Sequence, residues 1–506
     1  MENQKKWSNN PYALGIFAIV VILLGIRIWF FLLTANQPVW WDEVDYLNIA
    51  TKWASGSPDW DINPLRPLLY PFVLSLFMKI GIGELFFRFL SLLASIISIW
   101  LTYKIAKEWY GKETGYIAAV MLAAFWSFLF FSYRMLVDVP VAMMWLLGVY
   151  VFIKGYEEQK KKYAYWIVPL IVLGFLTKYT GAILGFILLA YMIVADRIKA
   201  FTRKEIWVSL GLGILTALPF LLYEWKKFGH PLAFYISAIG GRAASPRSGF
   251  QTLIDYINTT IPLIQWPFLI LCIIGLIAII FELIIGWDLL LKNKEKHLRA
   301  NLLLILTCIV PFLYIVSLGY GAYIEERYLF LMYPMLFMIG AKGAMSLYHI
   351  IKKYNKHLAI AVVAILLVLG VQQNLATANA SIKDKAVSFI QVKEAGEWLN
   401  QHTNPDDVIY SFHTQAEMQY HANRRVFGFK GTTPEEQLEY IKQDKPKYVV
   451  MNIFVPVDPG QTWKVAHAYT NQTMFKPEIS YAPFIDEKQQ IPILTIFSVN
   501  PTLYSQ

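Results

Sequence analysis

Long apolar runs constrain this sequence more than any other feature. They recur through the first 375 residues, and runs of about 20 residues are long enough to cross a hydrocarbon core of about 30 Å as helices. Only 16% of the 506 residues are charged, whereas about 25% is usual in soluble domains. The sequence therefore predicts an α-helical polytopic membrane protein.

The apolar runs predict about eleven spans. They cover approximately residues 12–33, 85–105, 115–131, 139–154, two short helices within 163–194, 206–223, 262–286, 300–318, 328–347 and 358–372. Segment 68–80 is apolar but short, so it is a partial span or an interfacial segment. The residues between 34 and 66 are predicted to form an external loop.

The net charge of +10 does not indicate a nucleic-acid partner, because its distribution is that of a membrane protein. Basic residues cluster in alternate short gaps between the apolar runs, as the positive-inside rule expects. Lys5 and Lys6 place the N-terminus in the cytoplasm. Cys272 and Cys308 both lie in apolar runs and give no redox information. We therefore predict a multi-pass protein of the cell membrane.

A second domain is predicted after the last span. Residues 1–375 form the transmembrane module, and residues 380–506 are a less hydrophobic, soluble α/β domain. Strands are predicted at 408–412, 448–453 and 493–497, and helices at 390–401 and 434–443. An odd number of spans from a cytoplasmic start makes this domain extracytoplasmic. The Gly-, Ser- and Pro-rich segment 240–249 predicts a mobile loop.

Two adjacent carboxylates, Asp42 and Glu43, follow the first apolar run directly. Trp40 and Trp41 precede them, and Trp favours the membrane interface. Adjacent acids repel each other, so their presence at a membrane exit needs an explanation. We interpret them as an active site, and the structural alternative is a pair of solvated loop acids.

Further ionisable residues are predicted on the same, outer side of the membrane. Such groups cost about 2.5–3.5 kcal/mol at bilayer depth and are functional candidates. They are Arg134 with Asp138, Lys178, His230, and Arg327 with Glu325 and Glu326. Cations would hold a phosphate and a carboxylate would accept a proton, which suits an anionic substrate.

Each of these groups also has a structural alternative. The alternatives are a salt bridge between Arg134 and Asp138, a snorkelling Lys178, a loop role for His230, and a pairing of Arg327 with Glu326 that anchors a span.

Short motifs within residues 40–340 together resemble a known family. They are Asp42-Glu43-Val44-Asp45-Tyr46, Arg66-Pro67-Leu68-Leu69-Tyr70-Pro71, Phe87-Arg88-Phe89-Leu90, Arg134 to Pro140, Leu176-Thr177-Lys178, Gly229-His230-Pro231 and Glu326-Arg327-Tyr328. Their order resembles that of the GT-C glycosyltransferases of the protein O-mannosyltransferase (glycosyltransferase family 39) and lipid A aminoarabinose transferase group.

The resemblance implies transfer of one sugar from a polyprenyl (dolichyl or undecaprenyl) phosphate to a lipid, glycan or protein acceptor, with inversion. Asp42 would be the general base and Glu43 would orient the acceptor or the base. Arg134, Lys178 and Arg327 would hold the donor phosphate. His230, Glu326 and Arg66 would support the site, and Asp138 would position Arg134 or bind a divalent metal. No other cofactor is implied.

The sequence departs from the family in two places. Val44 and Asp45 stand where the aminoarabinose transferases carry an Arg shortly after their Asp-Glu pair. The chain also has no room for the β-trefoil domain of the protein mannosyltransferases, which favours an acceptor other than protein.

Two other function classes remain open from the sequence. One is a transporter or flippase of a lipid-linked or anionic solute, although transporters usually place polar residues near the midplane of repeated halves. The other is a non-catalytic polysaccharide assembly protein whose outer domain binds the glycan.

Overall fold

The computed structural model describes most of the chain. The described residues are 11–56, 66–240, 249–291, 295–318, 325–430, 434–452, 474–481 and 492–504. Lys5, Lys6 and residues 241–248 of the predicted mobile loop lie outside them.

Helices dominate the first 385 residues. They are α1 (Pro11–Leu33), α2 (Asp42–Ser55), α3 (Leu69–Lys79), α4 (Glu84–Tyr110), α5 (Lys112–Ala124), α6 (Trp126–Phe131), α7 (Asp138–Phe152), α8 (Lys161–Ala164), α9 (Ile167–Thr177), α10 (Ile183–Asp196), α11 (Lys204–Phe228), α12 (Ala233–Gly240), α13 (Gly249–Ile264), α14 (Trp266–Ile285), α15 (Trp287–Leu291), α16 (Lys296–Ser317), α17 (Tyr333–Lys352) and α18 (Lys356–Lys385). Short 3₁₀ helices join some of them at Tyr179–Ala182, Arg197–Thr202 and Glu326–Leu329.

Eight helical segments of the described residues are long and apolar enough to cross a membrane. Two shorter apolar helices accompany them, Ala18–Leu33 within α1 and α3. The predicted multi-pass helical architecture is confirmed, whereas the number of about eleven spans stays a prediction. The difference arises partly because run 115–131 is divided at Phe125 between α5 and α6.

One prediction about the region after the first span was wrong. Residues 34–66 were expected to form a loop, but Asp42–Ser55 is a 14-residue helix that begins at the acidic pair. Its apolar residues Val44, Leu47 and Ile49 are fully buried. The interruption of run 163–194 was predicted correctly, since α9 ends at Thr177 and α10 begins at Ile183.

The described chain packs as two compact units. The first contains Met1–Ala35, Pro64–Tyr70 and Gly83–Lys383. The second contains Asn36–Asn63, Pro71–Ile82 and Asp384–Gln506, so α2 and most of α3 belong to the same unit as the C-terminal segment, although they are distant from it in sequence.

A buried cation fastens the first unit. Arg27 of α1 is fully buried and donates hydrogen bonds to Ser95 Oγ at 3.0 Å, Ser132 Oγ at 2.7 Å and the Ala123 carbonyl at 3.1 Å. A buried charge is tolerated where hydrogen bonds compensate for lost hydration, and both Nη atoms of Arg27 make such bonds. Arg27 therefore ties α1 to α4, α5 and the end of α6.

The C-terminal segment folds as a small α/β layer. Its helices and strands are α19 (Ile390–His402), β1 (Ile409–Ser411), α20 (Gln415–Ala422), β2 (Val426–Gly428), α21 (Pro434–Asp444), β3 (Tyr448–Asn452), β4 (Phe475–Tyr481) and β5 (Leu494–Val499). The five-stranded sheet has the order β2-β1-β3-β5-β4. β1 is parallel to β2 and β3, and β5 is antiparallel to β3 and β4.

All three predicted strands and both predicted helices of this segment are present. The strands β2 and β4 and the helix α20 were not predicted, because β2 has only three residues and β4 contains Pro477. Gln415–Ala422 has only eight residues and no marked apolar face.

Glycines allow two helices of the first unit to approach closely. A Cβ atom on Gly275 of α14 would lie 1.9 Å from the Ile339 carbonyl oxygen of α17, and one on Gly343 would lie 2.0 Å from the Leu271 carbonyl oxygen. Small residues at membrane helix crossings permit this backbone contact. Both neighbouring atoms are backbone, so neither can rotate away.

We expect Gly275→Ala to lower the unfolding free energy by about 1–3 kcal/mol, the usual effect of overpacking. The measurement is thermal unfolding of the purified protein in detergent. Gly211→Ala is the matched control, since a Cβ atom there meets nothing within 4 Å. Equal midpoints for the two variants would contradict this account of the crossing.

Candidate active site

One buried carboxylate gathers two of the predicted cations in the first unit. Asp138, at the start of α7, is 1% exposed. Lys178 Nζ lies 2.5 Å from its Oδ1, and Arg327 Nη1 lies 3.5 Å from its Oδ2. We call these three residues the Asp138 cluster. Two cations share one anion, so the three side chains together carry a net positive charge.

A break in the helical chain places Lys178 in this cluster. Lys178 has an extended backbone, with φ −152° and ψ 131°, between α9 and the 3₁₀ helix Tyr179–Ala182. The break is compact because Gly181 abuts Gly174, where a Cβ atom on Gly181 would lie 2.4 Å from the Gly174 carbonyl carbon. The backbone at Lys178 is therefore a fixed corner, and the lysine side chain projects from it.

Arg327 reaches the cluster from the 3₁₀ helix Glu326–Leu329. Its Nε also donates to the Glu325 carboxylate. The Tyr328 ring lies 5.2 Å from Lys178 Nζ and 5.6 Å from Arg327 Cζ, a favourable cation–π arrangement. Burial raises the pKa of the Glu326 carboxyl, and the charges of Glu325 and Asp138 raise it further.

A third predicted cation, Arg134, is buried just before α7. The fully buried Arg88 donates from Nη1 to the Tyr133 carbonyl at 3.2 Å, and its Nη2 lies 3.7 Å from the Glu84 carboxylate. Arg88 thus fixes the backbone directly before Arg134. The motif that contains Arg88 was noted in the sequence, but this positioning role was not foreseen.

The other predicted residues of the first unit lie in simpler surroundings. His230 is exposed, and its Nδ1 accepts a hydrogen bond from the Leu232 backbone at 3.1 Å, which agrees with the loop alternative. Arg66 is half-buried shortly before α3.

The suggested metal role of Asp138 finds no support in the part of the chain that is described. There, no group of three or more His, Cys, Asp or Glu side chains could hold a metal ion. Both carboxylate oxygens of Asp138 already face cations, which would repel a divalent ion. Asp138 therefore does not fit the role of a metal ligand.

The acidic residues of the second unit occupy a helix N-terminus. Asp42, Glu43 and Asp45 all belong to the first turn of α2. Negative side chains are stabilised there by the helix dipole and the free N–H groups. Trp41, the residue before the helix, has a left-handed φ of 57°. The helix N-terminus therefore stabilises three negative charges that would otherwise repel one another.

The two adjacent acids have different environments. Glu43 is 0% exposed, and its carboxylate accepts a hydrogen bond from the Trp40 backbone at 3.4 Å. Asp42 is only half-buried, and Trp41 beside it is 58% exposed. A substrate could therefore reach Asp42, whereas Glu43 braces the turn before the helix.

A fourth acid was missed by the sequence analysis. Glu417, in the first turn of α20, is 8% exposed and accepts a hydrogen bond from the Trp41 backbone at 3.0 Å. Burial raises the pKa of its carboxyl to about 7, helped by the negative charges of Asp45 and Asp42. No sequence motif marks Glu417, so only the packing of α2 on α20 reveals it.

Comparisons with known proteins agree with this architecture. Residues 65–223 match the family model described as dolichyl-phosphate-mannose-protein mannosyltransferase. The crystal structure of ArnT from Cupriavidus metallidurans bound to undecaprenyl phosphate superposes with a TM-score of 0.66 at 14% identity, covering 97% of this chain and 98% of that chain. A comparison with curated protein sequences finds no significant match.

A second similar structure is the archaeal oligosaccharyltransferase AglB from Archaeoglobus fulgidus in complex with an inhibitory peptide and a dolichol-phosphate. Its TM-score is 0.60 at 14% identity, with 94% of this chain and 76% of that chain covered. The chain has the GT-C glycosyltransferase fold. The predicted fold class is thereby confirmed.

We expect Asp138→Asn to destabilise the GT-C helical unit, because Lys178 would lose its buried carboxylate partner and Arg327 would keep only Glu325. The loss should be about 3 kcal/mol, at the low end for a broken buried pair, since Lys178 remains 21% exposed. Thermal unfolding in detergent measures it. Glu205→Gln is the control, because its partner Lys161 is well exposed. A shift no larger than that of the control would show that the Asp138 cluster is not stabilising.

Proposed function

We propose that this protein transfers a single sugar from a polyprenyl-phosphate donor to an acceptor hydroxyl at the extracytoplasmic membrane face. The donor lipid is a dolichyl or undecaprenyl phosphate, and the acceptor is a lipid, a glycan or a protein. The observation that carries the proposal is the Asp138 cluster, in which two cations share one buried carboxylate. The chain carries this cluster in a fold similar to that of ArnT, which was crystallised bound to undecaprenyl phosphate.

The basic residues would bind the donor phosphate. An ammonium has three N–H groups and a guanidinium five, so a phosphate would share these donors with Asp138 at Lys178, and with Asp138 and Glu325 at Arg327. The carboxylate fixes their positions before substrate arrives. Preorganised cations stabilise charge that develops on a leaving group, and Arg134 would add a third positive charge.

Asp42 would act as the general base. In the proposed step it takes the proton of the acceptor hydroxyl while that oxygen attacks the anomeric carbon. The bond from the anomeric carbon to the phosphate oxygen breaks, and its electron pair stays on the polyprenyl phosphate. Attack opposite to the leaving group inverts the anomeric configuration. Asp42 suits this role better than Glu43 because Glu43 is buried against the Trp40 backbone.

A transporter or flippase is less well supported. Two ionisable groups within the apolar helices are engaged by neighbouring side chains, as a structural role requires. Arg27 is held by Ser95 and Ser132, and Lys342 Nζ lies 2.5 Å from the Glu282 carboxylate.

We expect Asp42→Asn to lower kcat by about 10²- to 10⁴-fold, the usual contribution of a general base, while donor affinity is retained. The measurement is sugar transfer by the purified protein from polyprenyl-phosphate sugars to membrane extracts. Glu394→Gln, an exposed carboxylate on α19, should keep full activity. A fully active Asp42→Asn protein would remove Asp42 as the base.

We expect Lys178→Ala and Arg327→Ala each to weaken binding of a polyprenyl phosphate by about tenfold or more, since a hydrogen bond to a charged group contributes about 1.5–3 kcal/mol. Titration of the protein in detergent with undecaprenyl phosphate measures this affinity. Lys162→Ala, an exposed lysine before α9, is the control. Unchanged affinity in both variants, with intact thermal unfolding, would overturn the phosphate assignment.

A further inference from the structure

Three contacts fasten the start of α2 to the C-terminal segment, all within the second compact unit. The Trp41 N–H donates to the Glu417 carboxylate at 3.0 Å. Asn48 Nδ2 of α2 donates to the Ala416 carbonyl at 3.1 Å, and the Trp40 ring stacks on the Phe389 ring at 5.7 Å. The turn that carries Asp42 is therefore held by residues far along the chain.

Glu417 lies in the first turn of α20, the helix that follows the carboxyl end of β1. Thr414 precedes α20, which begins directly after β1, and β1 is the parallel strand between β2 and β3. The carboxyl end of such a strand, where the chain turns to opposite sides of the sheet, is where α/β folds usually bind ligands. In this protein Glu417 binds the chain's own Trp41 backbone at that edge.

We propose that Glu417 is a positioning residue for Asp42: it holds the Trp41 backbone that starts α2, and its charge tunes the basicity of the Asp42 carboxylate. This inference rests on the proposed role of Asp42 as general base. Glu417 itself touches the backbone of Trp41, so it acts through the helix start and not on the reacting atoms.

The geometric part of this role follows from the backbone of Trp41. Trp41 combines a φ of 57° with a ψ of −132°, and such a positive-φ conformation costs a non-glycine residue about 1–3 kcal/mol and persists only where the surroundings hold it. The hydrogen bond to Glu417 holds this peptide from one side, and the bond from Trp40 N–H to Glu43 holds the preceding peptide. Losing the Glu417 bond would let the turn relax and move Asp42.

The electrostatic part follows from the groups around Glu417. The elements packed against α20 are α2, α19 and the strands β1 and β2. Helix α2 brings Asp42 and Asp45, whose charges act on Glu417. The remaining ionisable groups on these elements are Glu43, Tyr46 and Lys52 on α2, Lys393, Glu394, Glu397 and His402 on α19, Tyr410 on β1, and Tyr420 and His421 on α20 itself.

The negative charges of these neighbours set the direction of the pH effect. Below pH 7 the buried Glu417 carboxyl, with its pKa raised to about 7, holds its proton and is neutral. Above pH 7 it is ionised, binds the Trp41 N–H more strongly, and repels the negative charge of Asp42. A carboxylate near another negative charge holds a proton more tightly, so Asp42 becomes the stronger base as the pH rises.

The experiment compares the pH dependence of kcat in the full-length wild type, Glu417→Gln and Glu417→Ala. In the wild type kcat should rise by about threefold to tenfold between pH 6 and 8. Glu417→Gln keeps a carbonyl acceptor for Trp41 but cannot ionise, so its profile should stay flat at the low-pH value with unchanged KM for the donor. Glu417→Ala should lose at least tenfold in kcat at every pH.

Two results would overturn the proposal. One is a Glu417→Gln profile that follows the wild type across pH 6–8, and the other is a Glu417→Ala protein with wild-type kcat. Glu397→Gln, an exposed acid of the same unit, should behave as the wild type. A merely structural role for Glu417 would lower the amount of folded protein but would not flatten the profile of the glutamine variant.

A second readout does not depend on sugar transfer. Hydrogen exchange of the Trp41 backbone amide, followed by mass spectrometry, should be slow in the wild type and in Glu417→Gln, and at least tenfold faster in Glu417→Ala. Unchanged exchange in Glu417→Ala would overturn the contact itself. Fast exchange in that variant together with no sugar transfer by the wild type would instead count against the proposed function and leave the positioning contact in place.

Discussion

The carboxylate of Asp138 is the interaction on which the first unit's site depends. It joins three parts of the chain that are far apart in sequence, namely the start of α7, the corner at Lys178 and the 3₁₀ helix that carries Arg327. Two cations placed this close would repel each other in an apolar region without a shared anion. Asp138 therefore holds Lys178 and Arg327 together, and the carboxylate of Glu325 adds a second negative charge beside Arg327.

The acidic site is built by a different principle. Asp42, Glu43 and Asp45 share the first turn of a helix, where unpaired N–H groups and the helix dipole favour negative charge. Burial then separates their tasks, because Glu43 is enclosed against the backbone while Asp42 remains accessible. A pair that looks equivalent in the sequence thus divides into an accessible residue, Asp42, and a buried one, Glu43.

The sequence predicts much of the architecture because membrane spans leave a strong signal. Run length identified most helices, and Lys178 stood out because it interrupts an apolar run. Glu417 could not be found in this way, since a glutamate in an eight-residue polar helix is unremarkable until α2 packs on it. The 14-residue helix of Asp42 was missed for a related reason, as its burial depends on residues more than 300 positions away. The Arg88 contact to Tyr133 likewise depends on packing, which local patterns do not encode.

The bond between Trp41 and Glu417 has a consequence for how the protein is made. The two residues are 376 positions apart, so the ribosome has released α2 long before α20 exists. Contacts of such separation form late and slowly, because the intervening chain must first be ordered. Helix α2 must therefore remain without its contact to α20 until every later span has been made. A truncated or stalled chain could complete its membrane helices and the Asp138 cluster, yet it would lack the partner that fixes Asp42. The arrangement makes full synthesis a condition for assembly of the acidic site.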